Sequence, residues 1–212
     1  MSVWKDEKLR RVLRQGGVAV MPTDTIYGLV GRAESERTVS RIRKLKKRSR
    51  GKPFIILISK ISDLSLFGVI LTPSQRKEIK KIWPAAVSII LPAEKAPQTF
   101  LLNGEKSLAF RMPRSAALRE LISKTGPLIA PSANPESLKP AVSTEEAEEY
   151  FGRDVDYYYD GGILRGKPSS IISLKPDGSI SWLRGDNANI KFKNFTVKAR
   201  KRVPPASQTN SS

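Results

Sequence analysis

The sequence predicts an α/β protein in which helices pack against an open, twisted, mixed sheet. Short apolar stretches typical of buried strands alternate along the chain with segments of helical periodicity. The chain has 212 residues, 39% of them hydrophobic, which is enough for one sizeable core. Near residue 180, two strand-like segments flank Pro176-Asp177-Gly178, a combination that favours a closing hairpin.

The predicted elements follow from the chain in order. Residues 5–15 form an amphipathic helix, because Leu9, Val12 and Leu13 share one face and Gly16 follows. Residues 18–21 are a buried strand, residues 35–48 a strongly basic helix and residues 54–58 a continuous apolar strand. The other predicted helices are residues 73–82, 115–124 and 144–151, and the other predicted strands are residues 87–91, 108–111, 128–131, 155–159, 171–174 and 179–183.

The composition of the chain divides it into one folded domain and a tail. We expect a single domain over residues 1–197 and a disordered basic and polar tail over residues 198–212, where Pro, Ser, Gln and Asn accumulate. No apolar stretch approaches the roughly 20 residues that a membrane-spanning helix needs, and the first residues lack the apolar core of a signal peptide. The sequence therefore predicts a cytoplasmic protein that makes no membrane contact.

Residue types that are absent exclude several kinds of chemistry. The chain contains no cysteine and no histidine, so disulfides, thiolate nucleophiles, Cys-ligated metals and Ser-His-Asp triads are excluded. Its formal net charge of +18 favours polyanionic partners such as RNA, nucleotides or pyrophosphate, although a basic, solvated surface would give the same charge.

Four segments carry candidate chemistry: PTDTIYGL at 22–29, KLKKRSRGKP at 44–53, PSAN at 131–134, and GKPSSII with WLRGD at 166–172 and 182–186. Taken alone, each also has an ordinary structural explanation. The second could be a solvated basic face or a basic patch for RNA, the third an Asx or Ser turn before Pro135, and the fourth a serine pair of the kind common at strand starts. The first is expected to be a strand-to-helix turn capped by Thr23 or Asp24. In the second, dense cations become favourable when phosphate lies among them. In the third, Ser132 and Asn134 point the same way if strand geometry persists.

In this order, the segments resemble the motifs of the threonylcarbamoyl-AMP synthases, the family of the YrdC-like domain. PTDTIYGL is similar to PT(E/D)TVYGL, LKKRSRGKP to the KxR element, and PSAN to SxN. FRMP at 110–113, YDGG at 159–162 followed by PSSII, and LRGD complete the series. The resemblance covers roughly residues 8–187 and implies the open α/β fold with a wide basic concave face.

The resemblance also implies a reaction. L-Threonine condenses with bicarbonate, and ATP then adenylates the carbamate to give threonylcarbamoyl-AMP and pyrophosphate, with Mg²⁺ on the phosphates. The product serves the tRNA modification t6A, and separate threonylcarbamoyl-transferase proteins are expected to use it. Such chemistry needs positioning and charge neutralisation rather than a covalent intermediate, which suits a chain without Cys or His.

The site residues implied by the resemblance fall into two groups. The threonine-binding group is Thr25, Arg111, Ala130 and Ser169, with Tyr27 as a wall that packing explains equally well. The ATP- and phosphate-binding group is Lys46, Arg48, Lys52, Ser132, Asn134, Ser143 and Arg184, with Lys46 and Arg48 as the catalytic pair. We expect alanine at Lys46 or Arg48 to abolish product formation without unfolding, because both are expected on a solvent-lined cleft.

Two departures from the family pattern and two alternatives remain open at this point. Leu57 stands where many members have a histidine near the threonine, and Ser88 ends WPAAVS where WPGPLT is frequent. One alternative function is a non-catalytic protein of the same fold that binds double-stranded RNA or tRNA. The other is a carbamoyl-adenylate domain of the hydrogenase-maturation type, which usually lies in longer, cysteine-containing chains.

Overall fold

The computed structural model describes residues 5–48 and 53–185. The predicted tail at 198–212 and Lys52 lie outside the described residues. None of the described helices is long and apolar enough to cross a membrane.

The helices are α1 Glu7–Arg14, α2 Glu36–Leu45, α3 Pro73–Ile82, α4 Thr99–Leu102, α5 Ala116–Thr125 and α6 Thr144–Phe151, with 3₁₀ turns at Ile61–Phe67 and Gly152–Asp154. The strands are β1 Ala19–Pro22, β2 Tyr27–Arg32, β3 Ile55–Leu57, β4 Val87–Pro92, β5 Ser107–Arg111, β6 Leu128–Ile129, β7 Tyr157–Tyr158, β8 Ser170–Leu174 and β9 Ile180–Arg184.

Within the described residues, these strands form one nine-stranded sheet in the order β7-β1-β2-β6-β3-β5-β4-β8-β9. The pairs β1/β7, β3/β5 and β4/β8 are parallel, and the other neighbours are antiparallel. The predicted mixed sheet is therefore confirmed. Its last pair, β8 and β9, is the hairpin that the turn at residues 176–178 predicts.

Apolar side chains cover both faces of this sheet. On one face, Leu9 and Leu13 of α1 and Leu118 of α5 pack with strand residues such as Met21 and Leu57. The alternate strand residues point to the larger core on the opposite face, which includes Val20, Leu29, Ile56, Ile89 and Phe110. The period-2 alternation of a strand explains how neighbouring residues serve opposite layers.

The helix boundaries follow local capping chemistry. Asp6 accepts a hydrogen bond from the Leu9 N–H and begins α1, and Ser115 does the same for Leu118 at the start of α5. Thr72 and Gln75 form a capping box before α3, which has Pro73 at its first position. Ser143 begins α6, as the sequence predicts.

The segment at residues 22–29 forms a β-hairpin, so the predicted strand-to-helix turn is wrong. β1 leads through residues 23–26 directly into antiparallel β2, a strand that sequence patterning did not indicate. Gly28 and Gly31 lower the strand propensity of this stretch. Gly31 is needed for packing, because a Cβ there would lie 2.3 Å from the Thr38 side chain on α2. The two glycines therefore obscure a central strand in the sequence pattern, and Gly31 lets α2 approach that strand closely.

Candidate active site

A cleft opens beside the β1–β2 loop. Three guanidinium groups, those of Arg48, Arg111 and Arg184, line it, and no carboxylate does so among the described residues. Such a wall favours an anionic ligand, since arginine offers planar paired donors to carboxylate and phosphate oxygens. The remaining lining residues are Thr23, Thr25, Ile26, Tyr27, Gly28, Phe54, Ile55, Ala130, Pro131, Ser132, Pro140, Pro168 and Ser169.

The β1–β2 loop is a tight turn that presents hydroxyl groups to the cleft. The Thr23 N–H and hydroxyl both donate to the Ile26 carbonyl, at 3.1 and 2.7 Å. The Thr25 N–H donates to the Thr23 hydroxyl, and the two hydroxyls lie 3.0 Å apart. This network leaves little freedom to the predicted threonine-binding residue Thr25, which is 8% exposed.

Arg111 ends β5 and reaches the same loop. Its Nη1 donates to the Thr25 hydroxyl at 2.9 Å, and its Nη2 lies 3.3 Å from Asp24 Oδ1. Only 3% of the residue is exposed. Burial lowers the pKa of Arg111, the Asp24 carboxylate opposes that shift, and the positive charge of Arg184 adds to it. Arg111 and Thr25, predicted together as threonine-binding residues, are therefore in direct contact.

Residues at the start of β8 and the end of β9 form another part of the cleft wall. Ser169 is 5% exposed, and its hydroxyl lies 3.0 Å from that of the fully buried Ser88 on β4. The Arg184 guanidinium donates to the Ser169 carbonyl through Nε and Nη2, at 3.3 and 2.9 Å. Ser88, which replaces the family's frequent threonine, thus retains a hydroxyl that contacts Ser169.

Lys46 lies behind the cleft rather than in it, so the expectation of a solvent-lined lysine is wrong. The residue is 2% exposed and does not line the cleft. Its Nζ donates to the Ser132 carbonyl at 2.7 Å and the Asn134 carbonyl at 2.5 Å, with the Ser132 hydroxyl at 3.4 Å and Asn134 Oδ1 at 3.1 Å. Burial, and secondarily the charge of Arg48, lower the pKa of Lys46 to about 8, with Glu136 opposing them.

The PSAN segment is not a continued strand. β6 ends at Ile129, Ser132 forms an isolated bridge with Gly28, and the Asn134 N–H turns back to the Ser132 carbonyl at 3.0 Å. Regular strand geometry beyond Ile129, on which the expected alignment of Ser132 and Asn134 depended, is therefore absent here. Their side chains nevertheless converge on Lys46, and Ser132 also lines the cleft.

Arg48 lies at the cleft surface as predicted. It is half-buried, donates to the Pro53 carbonyl at 2.9 Å and stacks 5.0 Å from the centre of the Phe54 ring. Burial lowers the pKa of Arg48, while Glu136 opposes the shift and Arg43 and Arg184 reinforce it. Phe54 is a cleft residue that motif comparison missed, because an apolar run gives no signal for a stacking platform.

The remaining predicted site residues divide between the cleft and its surroundings. Ala130 lines the cleft. Asn134 and Ser143 do not, and the Ser143 hydroxyl instead accepts from the Glu146 N–H at the start of α6. Leu57 is fully buried in the core between the sheet and helices α1 and α5, and it does not line the cleft either.

An exposed segment without helix or strand, residues 160–168, crosses the edge of the cleft, and we call it the strap. The buried Tyr27 hydroxyl accepts from the Gly161 N–H at 2.9 Å and donates to the Gly162 carbonyl at 2.7 Å. Gly166 lies so close to the loop that a Cβ would be 1.7 Å from the Thr25 carbonyl oxygen. Tyr27 is thus both a wall of the cleft and an anchor for the strap, a role that the DGG motif alone did not indicate.

Comparison with known proteins adds independent findings. A sequence model of the Sua5/YciO/YrdC family, described as telomere recombination, matches residues 11–185. A threonylcarbamoyl-AMP synthase of Hahella chejuensis is 31% identical over 173 residues, covering 81% of this chain and 94% of that protein. One from Pyrococcus abyssi is 31% identical over 175 residues, covering 81% of this chain. The chain spans about half of that longer relative, 51% of its length.

A solved structure shows the same fold. The crystal structure of P. abyssi Sua5 complexed with L-threonine matches with a TM-score of 0.74 and 29% identity, covering 82% of this chain and 52% of that one. The structural similarity therefore extends over most of this chain.

Proposed function

This chain belongs to the Sua5/YciO/YrdC family, and on that premise we propose that it is a threonylcarbamoyl-AMP synthase. The reaction joins L-threonine, bicarbonate and ATP into threonylcarbamoyl-AMP and pyrophosphate. The observation that carries the proposal is the cleft itself, in which three guanidinium groups face a cluster of hydroxyls with no lining carboxylate among the described residues. All the substrates are anionic or carry a carboxylate, which such a cleft suits.

Arg111 and Thr25 are the residues we assign to the amino acid. The Arg111 guanidinium would bind the threonine carboxylate, and the Thr25 and Ser169 hydroxyls would lie beside it. Burial strengthens this contact because water competes poorly with a charge-assisted hydrogen bond inside the protein. The solved structure of the P. abyssi relative is a complex with L-threonine, which supports L-threonine as the amino acid substrate proposed here.

Arg48 and Arg184 are the residues we assign to the phosphates. Both line the cleft, and Ser132 lies nearby with its hydroxyl in reach of Lys46. Once the amine of threonine has combined with bicarbonate, with loss of water, a carbamate oxygen would attack the α-phosphorus of ATP and expel pyrophosphate. Two guanidinium groups would stabilise the charge that develops on the phosphate oxygens during this transfer.

Magnesium, where it accompanies ATP, would be held mainly by the phosphates. Among the described residues, no three His, Cys, Asp or Glu side chains come together as a metal site. Mg²⁺ commonly binds through nucleotide phosphates with few protein ligands, so the residues present fit that arrangement. Its chemistry would be to neutralise phosphate charge beside Arg48 and Arg184.

The proposal is tested by pyrophosphate release from ATP in the presence of Mg²⁺ and bicarbonate, with each amino acid supplied in turn. We expect release only with L-threonine and its loss in Arg111→Ala. Equal release with L-valine or L-serine would contradict the threonine assignment.

The net charge of +18 keeps RNA binding as a second candidate function. A non-catalytic RNA-binding protein would show no amino-acid-dependent pyrophosphate release, while its affinity for tRNA would fall steeply with salt. The synthase proposal includes two later steps. The product would pass to separate threonylcarbamoyl-transferase proteins, and these would form t6A on tRNA.

A further inference from the structure

Asp24 is a nearly buried carboxylate that the proposed reaction leaves without a role. Its side chain is 8% exposed, beside an Arg111 side chain that is 4% exposed. Asp24 does not line the cleft, whereas Arg111 does. The carboxylate therefore lies behind the arginine, out of contact with whatever fills the cleft.

The two oxygens of Asp24 have different partners. Oδ2 accepts a hydrogen bond from the Arg114 N–H at 2.9 Å, which ties the β1–β2 loop to the chain just after β5. Oδ1 lies 3.3 Å from Arg111 Nη2 and makes no aligned hydrogen bond. Asp24 thus bridges the loop to the guanidinium, and the loop's own hydrogen bonds fix where the carboxylate lies.

The Arg111 guanidinium needs Asp24 because its other hydrogen-bond partners leave part of it unsatisfied. Thr25 takes one donor at Nη1, and the buried Nε has no partner within the described residues. A buried guanidinium without a counter-charge is costly, and the nearby Arg184 repels it. Within the described part of the chain, Asp24 is the acidic group in contact with Arg111, so its loss would free the guanidinium to rotate or to turn towards solvent.

We propose that Asp24 is a positioning residue, which holds the Arg111 guanidinium in the orientation that receives the carboxylate of the amino acid substrate. The inference rests on the proposed function, since it assumes that Arg111 binds that carboxylate. Asp24 acts through Arg111 and does not touch the substrate. A planar guanidinium makes two parallel bonds to a carboxylate only in one orientation, so a tilt weakens binding of the amino acid and leaves nucleotide binding intact.

Asp24→Asn tests this directly, because the amide keeps the volume and one acceptor for the Arg114 N–H but loses the charge. We expect the KM for L-threonine to rise about 30-fold, the lower end of the usual scale for removing one charge of a buried pair, with the KM for ATP unchanged. L-Threoninol, which lacks the carboxylate, should inhibit the variant and the wild type equally. A KM for threonine that stays at the wild-type value would overturn the inference.

Two controls separate positioning from general damage. Asp63→Asn makes the same change at another carboxylate of similar exposure, which accepts from Ser59 and Lys60 at the start of a 3₁₀ turn, and it should leave both KM values unchanged. In an Arg111→Ala background, which gives no turnover, Asp24→Asn should cause no further weakening of L-threonine binding as measured by calorimetry, and this double variant also serves if the single variant does not fold. A further weakening of binding there would mean that Asp24 acts independently of Arg111.

The failure of this inference can be told from the failure of the proposed function. A wild-type protein without threonine-dependent pyrophosphate release would contradict the synthase assignment. An active wild type with an unchanged Asp24→Asn variant would contradict only the role of Asp24.

Discussion

Replacing Lys46 with methionine is expected to destabilise the protein as well as inactivate it. In the structure, the Lys46 ammonium contacts four oxygens of Ser132 and Asn134 and is 2% exposed. Methionine fills a similar volume but removes the ammonium donor from the Asn134 carbonyl and Oδ1, and it leaves the Ser132 carbonyl with only the Asn134 N–H. Each unsatisfied buried polar group costs about 1–3 kcal/mol.

The net loss in the free energy of unfolding should be smaller than the sum of the costs of the individual lost contacts. Relief of the ammonium's desolvation offsets part of the loss, so we expect a decrease of about 2–4 kcal/mol in the free energy of unfolding. For a chain of this size, that corresponds to a drop of about 5–15 °C in Tm. Pyrophosphate release should fall in parallel, because Ser132 and Asn134 lose their common anchor.

Thermal unfolding followed by circular dichroism, alongside pyrophosphate release, measures both effects. Lys44→Met on the exposed side of α2 removes the same charge from the same helix and should change neither quantity. A Lys46→Met protein with wild-type Tm but no activity would refute the anchoring role. It would instead support direct phosphate binding by Lys46.

Four further outcomes are expected. Arg48→Ala should abolish pyrophosphate release with little change in Tm, because Arg48 is at the cleft surface. Tyr27→Phe should lower the free energy of unfolding by about 1–2 kcal/mol, since the hydroxyl anchors Gly161 and Gly162. Gly166→Ala should displace the strap, seen as faster amide exchange there, because a Cβ would lie 1.7 Å from the Thr25 carbonyl oxygen. Between pH 8 and 10.5, the free energy of unfolding of the wild type should rise relative to that of Lys46→Met. The pKa of Lys46 is about 8 in the folded protein, whereas its ordinary value is 10.5. The unfolded state therefore binds more protons than the folded state in that pH window, and raising the pH favours folding.

Much of the fold could be predicted from the sequence because local signals agree with tertiary packing. Pro73 with Thr72 gives the start of α3, and Ser143 gives that of α6, since capping depends on neighbours in the chain. Strand β2 was missed because it contains two glycines, and one of them, Gly31, is required by a contact with Thr38 on a helix that follows later in the sequence. A tertiary contact between a strand and a helix of this kind produces no periodic pattern in the sequence.

The candidate site, like the fold, could be predicted only in part. Motif resemblance identified Thr25 and Arg111, which the structure brings within 2.9 Å of each other. It could not tell a lysine facing the cleft from one buried behind it, because Lys46 has the same spacing to Arg48 in either case. Burial of Lys46 depends on Ser132 and Asn134, which lie 86 and 88 residues further along the chain.

The central claim is that this cleft makes threonylcarbamoyl-AMP. Its most direct test is mass spectrometry of the nucleotide products formed from ATP, L-threonine and ¹³C-labelled bicarbonate by the purified protein with Mg²⁺. The account predicts a threonylcarbamoyl-AMP species that carries one ¹³C atom, appears together with pyrophosphate and is lost in Arg111→Ala. Unchanged ATP, under conditions where the folded protein binds tRNA in a salt-sensitive manner, would contradict it and favour the RNA-binding function.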